Sequence, residues 1–151
     1  MLINTIQKLW LKQEQKHWYE TYWVIDVHGT IIRPDHNQEE IIEVNYYPYA
    51  KECLQILTWR EDIRLILHTS SYPIQIKKYL QLFTQDNIKF NYVNENPEIS
   101  EHHFGYYEQK FYRDVEFEDK AGFEGETDWL PVYELLTQKP YYPNPLWKQN
   151  L

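Results

Sequence analysis

VIDVHGTIIR, residues 24–33, decides the fold. An apolar run delivers Asp26, a histidine follows two positions later, and Gly29-Thr30 turns the chain before Ile31 and Ile32 resume the apolar pattern. A buried strand that ends on a carboxylate and turns at once through a glycine presents that carboxylate to a crevice. Open parallel α/β sheets hold their ligands in such crevices, outside the carboxyl ends of their strands. Asp26 is therefore the first candidate for a nucleophile or metal ligand.

Working outward, Tyr22 to Val27 is β-branched and aromatic, the composition of a buried strand. Tyr49 to Trp59 places Ala50, Cys53, Leu54 and Leu57 on one helical face. Arg64 to His68 reads as a second strand ending in Thr69-Ser70-Ser71, and Ile74 to Phe83 as a helix entered through Pro73, with Ile76, Tyr79, Leu80 and Phe83 apolar. Phe90 to Val93 is a third strand leading into Asn94-Glu95-Asn96-Pro97, Val115 to Phe117 a short fourth, and Trp129 to Leu136 a closing helix. At the start of the chain, Leu2, Ile6, Leu9 and Trp10 mark an amphipathic helix that Asn4 or Thr5 could cap. Strands alternating with helices specify parallel βαβ units, hence an α/β fold: a three-layer Rossmann-like parallel sheet with helices on both faces. The length fits one domain over residues 1–151, with an N-terminal helix in 1–20 and a Tyr/Pro-rich tail in 139–151, where Pro140, Pro143 and Pro145 oppose helix continuation.

Composition narrows the function. Fourteen Tyr and six Trp give large buried surfaces with polar tips, the mark of a globular chain. The net charge of −8 is concentrated around Asp114 to Asp128, a field that repels polyanions unless a cation intervenes. Nucleic acid is thereby disfavoured as a partner, with a polynucleotide end kept only as the lesser option. A lone Cys53, no signal peptide and no apolar run of bilayer length point to the cytoplasm and to no membrane association.

Four distant segments each close an apolar run with a polar residue suited to phosphoryl transfer: Asp26, Thr69, Asn94, and the pair Glu118-Asp119. In this the chain resembles the haloacid dehalogenase-like superfamily of phosphatases and phosphotransferases, in its small, cap-poor phage and bacterial form. The Asp-x-Asp-Gly-Thr motif is matched by Asp26-Val27-His28-Gly29-Thr30, the strand ending in Thr or Ser by LILHT at Thr69, and the acidic pair by VEFED at Glu118-Asp119; the motif lysine falls on Lys110, with Lys120 as its rival. The resemblance spans residues 22–136 and implies a Mg²⁺-dependent phosphoric monoester hydrolase. Asp26 would accept the phosphoryl group as an acyl phosphate. Mg²⁺ would be held by Asp26, the backbone carbonyl of His28, and Glu118 or Asp119. Thr69 would hydrogen-bond phosphate oxygens while Lys110 offsets their charge.

One position departs from the motif: His28 stands where the superfamily carries a second aspartate that protonates the leaving oxygen and then activates water. An imidazole can do both jobs near neutrality. The alternatives are a catalytically attenuated protein that keeps metal or phosphate binding, and a phosphotransferase that uses an acceptor alcohol in place of water. A zinc site reading of His28, His36, His68, His102 and His103 lacks partner cysteines at ligand spacing. The short segments after the first and second motifs leave no room for a cap, so the expected substrate is a small phosphorylated molecule at an open site. Aromatic residues between His102 and Tyr112 could stack on it, although core or lid packing is their commoner use. The sequence carries no signal for oligomeric state.

Overall fold

Strand β1 (Thr21–Asp26) is buried at every position up to Asp26, which is half-buried. A parallel strand covered on both faces needs apolar residues throughout, and Tyr22, Trp23, Val24 and Ile25 supply them. The computed structural model describes residues 1–34, 41, 43–99, 101, 102, 105, 106 and 110–149. Around β1 it places α1 (Leu2–Lys16), α2 (Ala50–Trp59), β2 (Ile63–His68), α3 (Pro73–Gln85), β3 (Tyr92–Val93), β4 (Glu101–His102), β5 (Gly105–Tyr106), β6 (Val115–Phe117), α4 (Gly125–Gln138) and α5 (Leu146–Gln149).

The main sheet runs β3-β2-β1-β6, all parallel, and β4 and β5 form a separate antiparallel pair. This is the α/β, Rossmann-like class, a parallel sheet flanked by helices. From β1 the chain steps outward on one side through β2 and β3, then returns to the other side of β1 as β6. The strand order therefore reverses between β1 and β6, and the crevice at their carboxyl ends is the switch point at which such sheets bind ligands.

Trp23, Ile25, Leu65, Leu67 and Phe117 share the principal core with Ile6, Leu9 and Trp10 of α1, Leu54 and Leu57 of α2, Phe83 of α3, and Trp129 and Val132 of α4. A smaller cluster holds Tyr22, Val24 and Ile66, and there Tyr92, Ile99, Phe111 and Tyr112 pack from β3 and the β3–β6 connection. Phe111 and Tyr112, from the aromatic stretch considered above as a stacking surface, thus pack on the sheet; His36, His103, Phe104 and Tyr107 lie outside the described residues.

Several boundaries differ from expectation for local reasons. Met1 caps α1 instead of Asn4 or Thr5, whose hydroxyl donates back to the Met1 carbonyl at 3.3 Å. Strand β3 is shorter than Phe90–Val93 because the Asn91 side chain, and not a ladder carbonyl, accepts the Leu65 N–H at 2.8 Å. Helix α4 starts before Trp129 and runs through Pro131. In the tail, α5 forms after Pro145, and Trp147 stacks on His17 at 4.7 Å. No helix among the described residues is long and apolar enough to cross a membrane.

Trp129 joins α4 to the sheet. Its ring is fully buried, stacks on Phe117 at 5.1 Å, and donates its indole N–H to the Thr30 carbonyl at 2.7 Å. Trp129→Phe keeps a ring in place and orphans that buried carbonyl, so stability falls by about 1–3 kcal/mol, read as a lower urea midpoint at unchanged slope.

Candidate active site at the sheet switch point

Asp26 ends β1 directly opposite His68 of β2, while Val24 and Ile25 pair with Glu116 and Phe117 of β6. The acidic pair that follows Phe117 therefore arrives beside Asp26. Carboxylate oxygens of Asp26, Glu118 and Asp119 lie within 4.8 Å of one another.

The turn after β1 makes this approach possible. The Val27 carbonyl accepts N–H groups from Ile31 at 2.9 Å and Ile32 at 3.1 Å, closing a tight loop. Within it Gly29 has φ +80°, and a Cβ there would sit 2.6 Å from Oδ2 of Asp119. Both the left-handed backbone and the missing side chain are required. Thr30, fully buried, fastens the loop to β6: its hydroxyl donates to Asp26 Oδ2 at 3.3 Å and accepts the Asp119 N–H at 3.1 Å.

Burial is the largest cause lifting the Asp26 carboxyl to about 6, with the negative charge of Asp119 adding to it against the Val27 N–H and the Thr30 hydroxyl. Glu118 is lifted to about 7, first by burial and then by its contact with Asp119. Asp119 moves the other way, chiefly because it accepts from Glu118, helped by the backbone and charge of Lys120. Asp119 is thus the first of the three to ionise, and Asp26 and Glu118 lose their protons only at higher pH. A set of hard oxygen donors crowded until two resist ionisation fits a divalent cation such as Mg²⁺, which would favour the carboxylates.

The remaining candidates are distributed unevenly. His28, exposed on the turn, meets the Tyr79 hydroxyl through Nε2 at 2.7 Å. Thr69 is buried at the end of β2; its backbone N–H donates to Asn94 Oδ1 at 2.8 Å, the Asn94 amide donates back to its carbonyl at 2.9 Å, and its hydroxyl pairs with that of Ser71 at 2.8 Å. Lys110 is exposed and makes no hydrogen bond or ion pair with Asp26, Glu118 or Asp119. Lys120, by contrast, donates its backbone N–H to Glu118 Oε1 at 3.2 Å, and its charge reaches Asp119.

Sequence reasoning passed over Thr30, Tyr79 and Asn94 as contact-makers, and weighed His68 only for zinc. His68 has a ligand atom within 4.8 Å of those of Glu116 and Glu118. Its ring stands edge-on to Phe111 at 5.4 Å, and Glu116 is ion-paired with Arg113 at 2.8 Å. Burial, followed by the Arg113 charge, pushes the His68 pKa down. The strand register would have found it, since Asp26 and His68 are paired.

No known family profile matches the sequence, and no curated protein is similar to it. Among solved structures, a conserved protein from Bacteroides thetaiotaomicron is similar with a TM-score of 0.57 and 26% identity, over 81% of this chain and 93% of that one.

The raised Asp26 and Glu118 have a consequence for stability. Below about pH 4 these groups are protonated folded or unfolded and contribute no penalty. As pH rises to between 6 and 7 the unfolded chain ionises them first, so the metal-free fold loses stability across that interval. Asp26→Asn is expected to raise the melting temperature of the metal-free protein above pH 7, with the gain vanishing near about pH 4, as thermal melts across pH would show.

Proposed function

We propose that the chain is a Mg²⁺-dependent phosphatase that hydrolyses a small phosphomonoester through an aspartyl phosphate on Asp26. The observation that carries this reading is the convergence of Asp26, Glu118 and Asp119 at the switch point between β1 and β6. The motif resemblance adds the order of roles.

Asp26, Glu118 and Asp119, with the His28 carbonyl, would hold the ion. When bound, Mg²⁺ supplies charge neutralisation that lets a phosphate approach three carboxylates. An Asp26 oxygen attacks phosphorus, the ester P–O bond breaks, and the departing oxygen takes a proton from the His28 imidazolium. Water then attacks the phosphoryl group as His28 takes its proton, which releases phosphate and restores Asp26. At the neighbouring strand end the paired Thr69 and Ser71 hydroxyls would turn to phosphate oxygens, since the Thr69 and Ser71 N–H groups already donate to Asn94 Oδ1 and Thr69 Oγ1. Lys120 is better situated than Lys110 to balance charge, because its field already acts on Asp119. Exposure of His28 and Asp119 agrees with an open site that a small substrate reaches without a cap.

A second reading, a metal- or phosphate-binding protein with attenuated chemistry, is favoured by one observation: among the described residues Lys110 makes no ion pair with the acidic cluster. A panel of phosphate esters assayed with and without Mg²⁺ decides between them. The phosphatase reading expects hydrolysis that EDTA abolishes and that Asp26→Asn lowers by more than about a thousandfold. Silence across the panel with retained Mg²⁺ binding identifies the non-catalytic protein, and transfer to an added alcohol identifies a phosphotransferase. In the active case, His28→Ala removes hydrolysis of alkyl phosphates while sparing activated aryl phosphates, whose leaving groups need no proton. Equal losses on both ester classes would remove His28 from the general-acid role.

A further inference from the structure

We infer that Tyr79 is the positioning residue for His28, its hydroxyl holding the imidazole on Nε2 in the orientation used for proton transfer; the inference rests on the phosphatase reading above. His28 projects from the turn after β1, exposed to solvent, where an unanchored ring would sample several rotamers. Tyr79 is its opposite: a residue of α3, 5% exposed and stacked on fully buried Phe83 at 6.3 Å. The two rings meet edge-on at 5.5 Å, with 2.7 Å between the Tyr79 oxygen and His28 Nε2. A buried residue of a helix thereby reaches the exposed imidazole across 51 positions of sequence.

The chemistry of the partner matters as much as its rigidity. A phenolic hydroxyl both donates and accepts. With Nε2 taken by Tyr79, the proton given up and recovered moves at the other ring nitrogen, Nδ1, and the contact on Nε2 fixes where Nδ1 points. Orientation of an acid toward a leaving oxygen contributes to the chemical step and leaves substrate binding largely unchanged.

Tyr79→Phe deletes one oxygen and keeps the ring. With Mg²⁺ present, kcat on an alkyl phosphate is expected to fall roughly tenfold or more at unchanged KM, while kcat on an activated aryl phosphate stays within about twofold. In ¹⁵N spectra of the imidazole nitrogens, the His28 Nε2 signal is expected to move on loss of the hydroxyl. Leu136→Ala, in the core face of α4, serves as the packing control; it should lower the melting temperature without changing the ratio between the two ester classes. Equal losses on both esters, an unchanged alkyl rate, an unmoved Nε2 signal, or the same selective loss in Leu136→Ala each overturn the assignment to Tyr79. Failure of the unmodified protein to hydrolyse either ester overturns the phosphatase reading, and this role with it.

Discussion

The site depends on a single hydroxyl. Thr30 is fully buried, and its side chain stands between the Asp26 carboxylate at the end of β1 and the Asp119 amide beyond β6. Its own carbonyl takes the Trp129 indole N–H, so one residue ties the β1 turn to the acidic loop and to α4. Each such bond contributes about 1 kcal/mol, a small part of the energy that apolar burial supplies. What the network adds is geometry: one buried hydroxyl fixes both the Asp26 carboxylate and the Asp119 backbone, and so sets the distance between the two acidic side chains.

The crowding runs against the interest of the fold. Asp26 and Glu118 are pushed toward their neutral forms by burial and by their contact with Asp119, in a chain that already carries a net charge of −8. Natural chains keep such conflicts where the conflict is useful, and compensate elsewhere. Compensation here comes from the continuous apolar strand below Asp26 and from the Trp23–Phe117–Trp129 stack, whose ring centroids lie 5.9 and 5.1 Å apart.

Much of this was legible in the sequence. Asp26, Thr69, Asn94 and Glu118-Asp119 could be placed because a strand's end is written twice, once by loss of apolar character and once by the turn residues that follow. Gly29 announced the turn, and its positive φ and the contact with Asp119 give the reason. The contacts that depend on register were not legible. His68 joins the carboxylates because Ile63–His68 pairs with Thr21–Asp26 in one particular alignment, and nothing local fixes that alignment. Tyr79 read as a core position on an amphipathic helix, and it is one; only its oxygen reaches His28. The short helical turn Asp119–Ala121, which brings the Lys120 N–H to the Glu118 carboxylate, was not legible either.

The tail ends away from this chemistry. Tyr141 accepts the Glu61 N–H at 2.8 Å, Tyr19 donates to the Pro143 carbonyl at 2.7 Å, and Arg60 lies over the Tyr141 ring at 4.4 Å. These partners flank the starts of β1 and β2, at the opposite edge of the sheet from Asp26. A tether or fusion attached through the tail would leave the strand ends facing outward, so the protein could be held on a surface with its acidic crevice presented to solution.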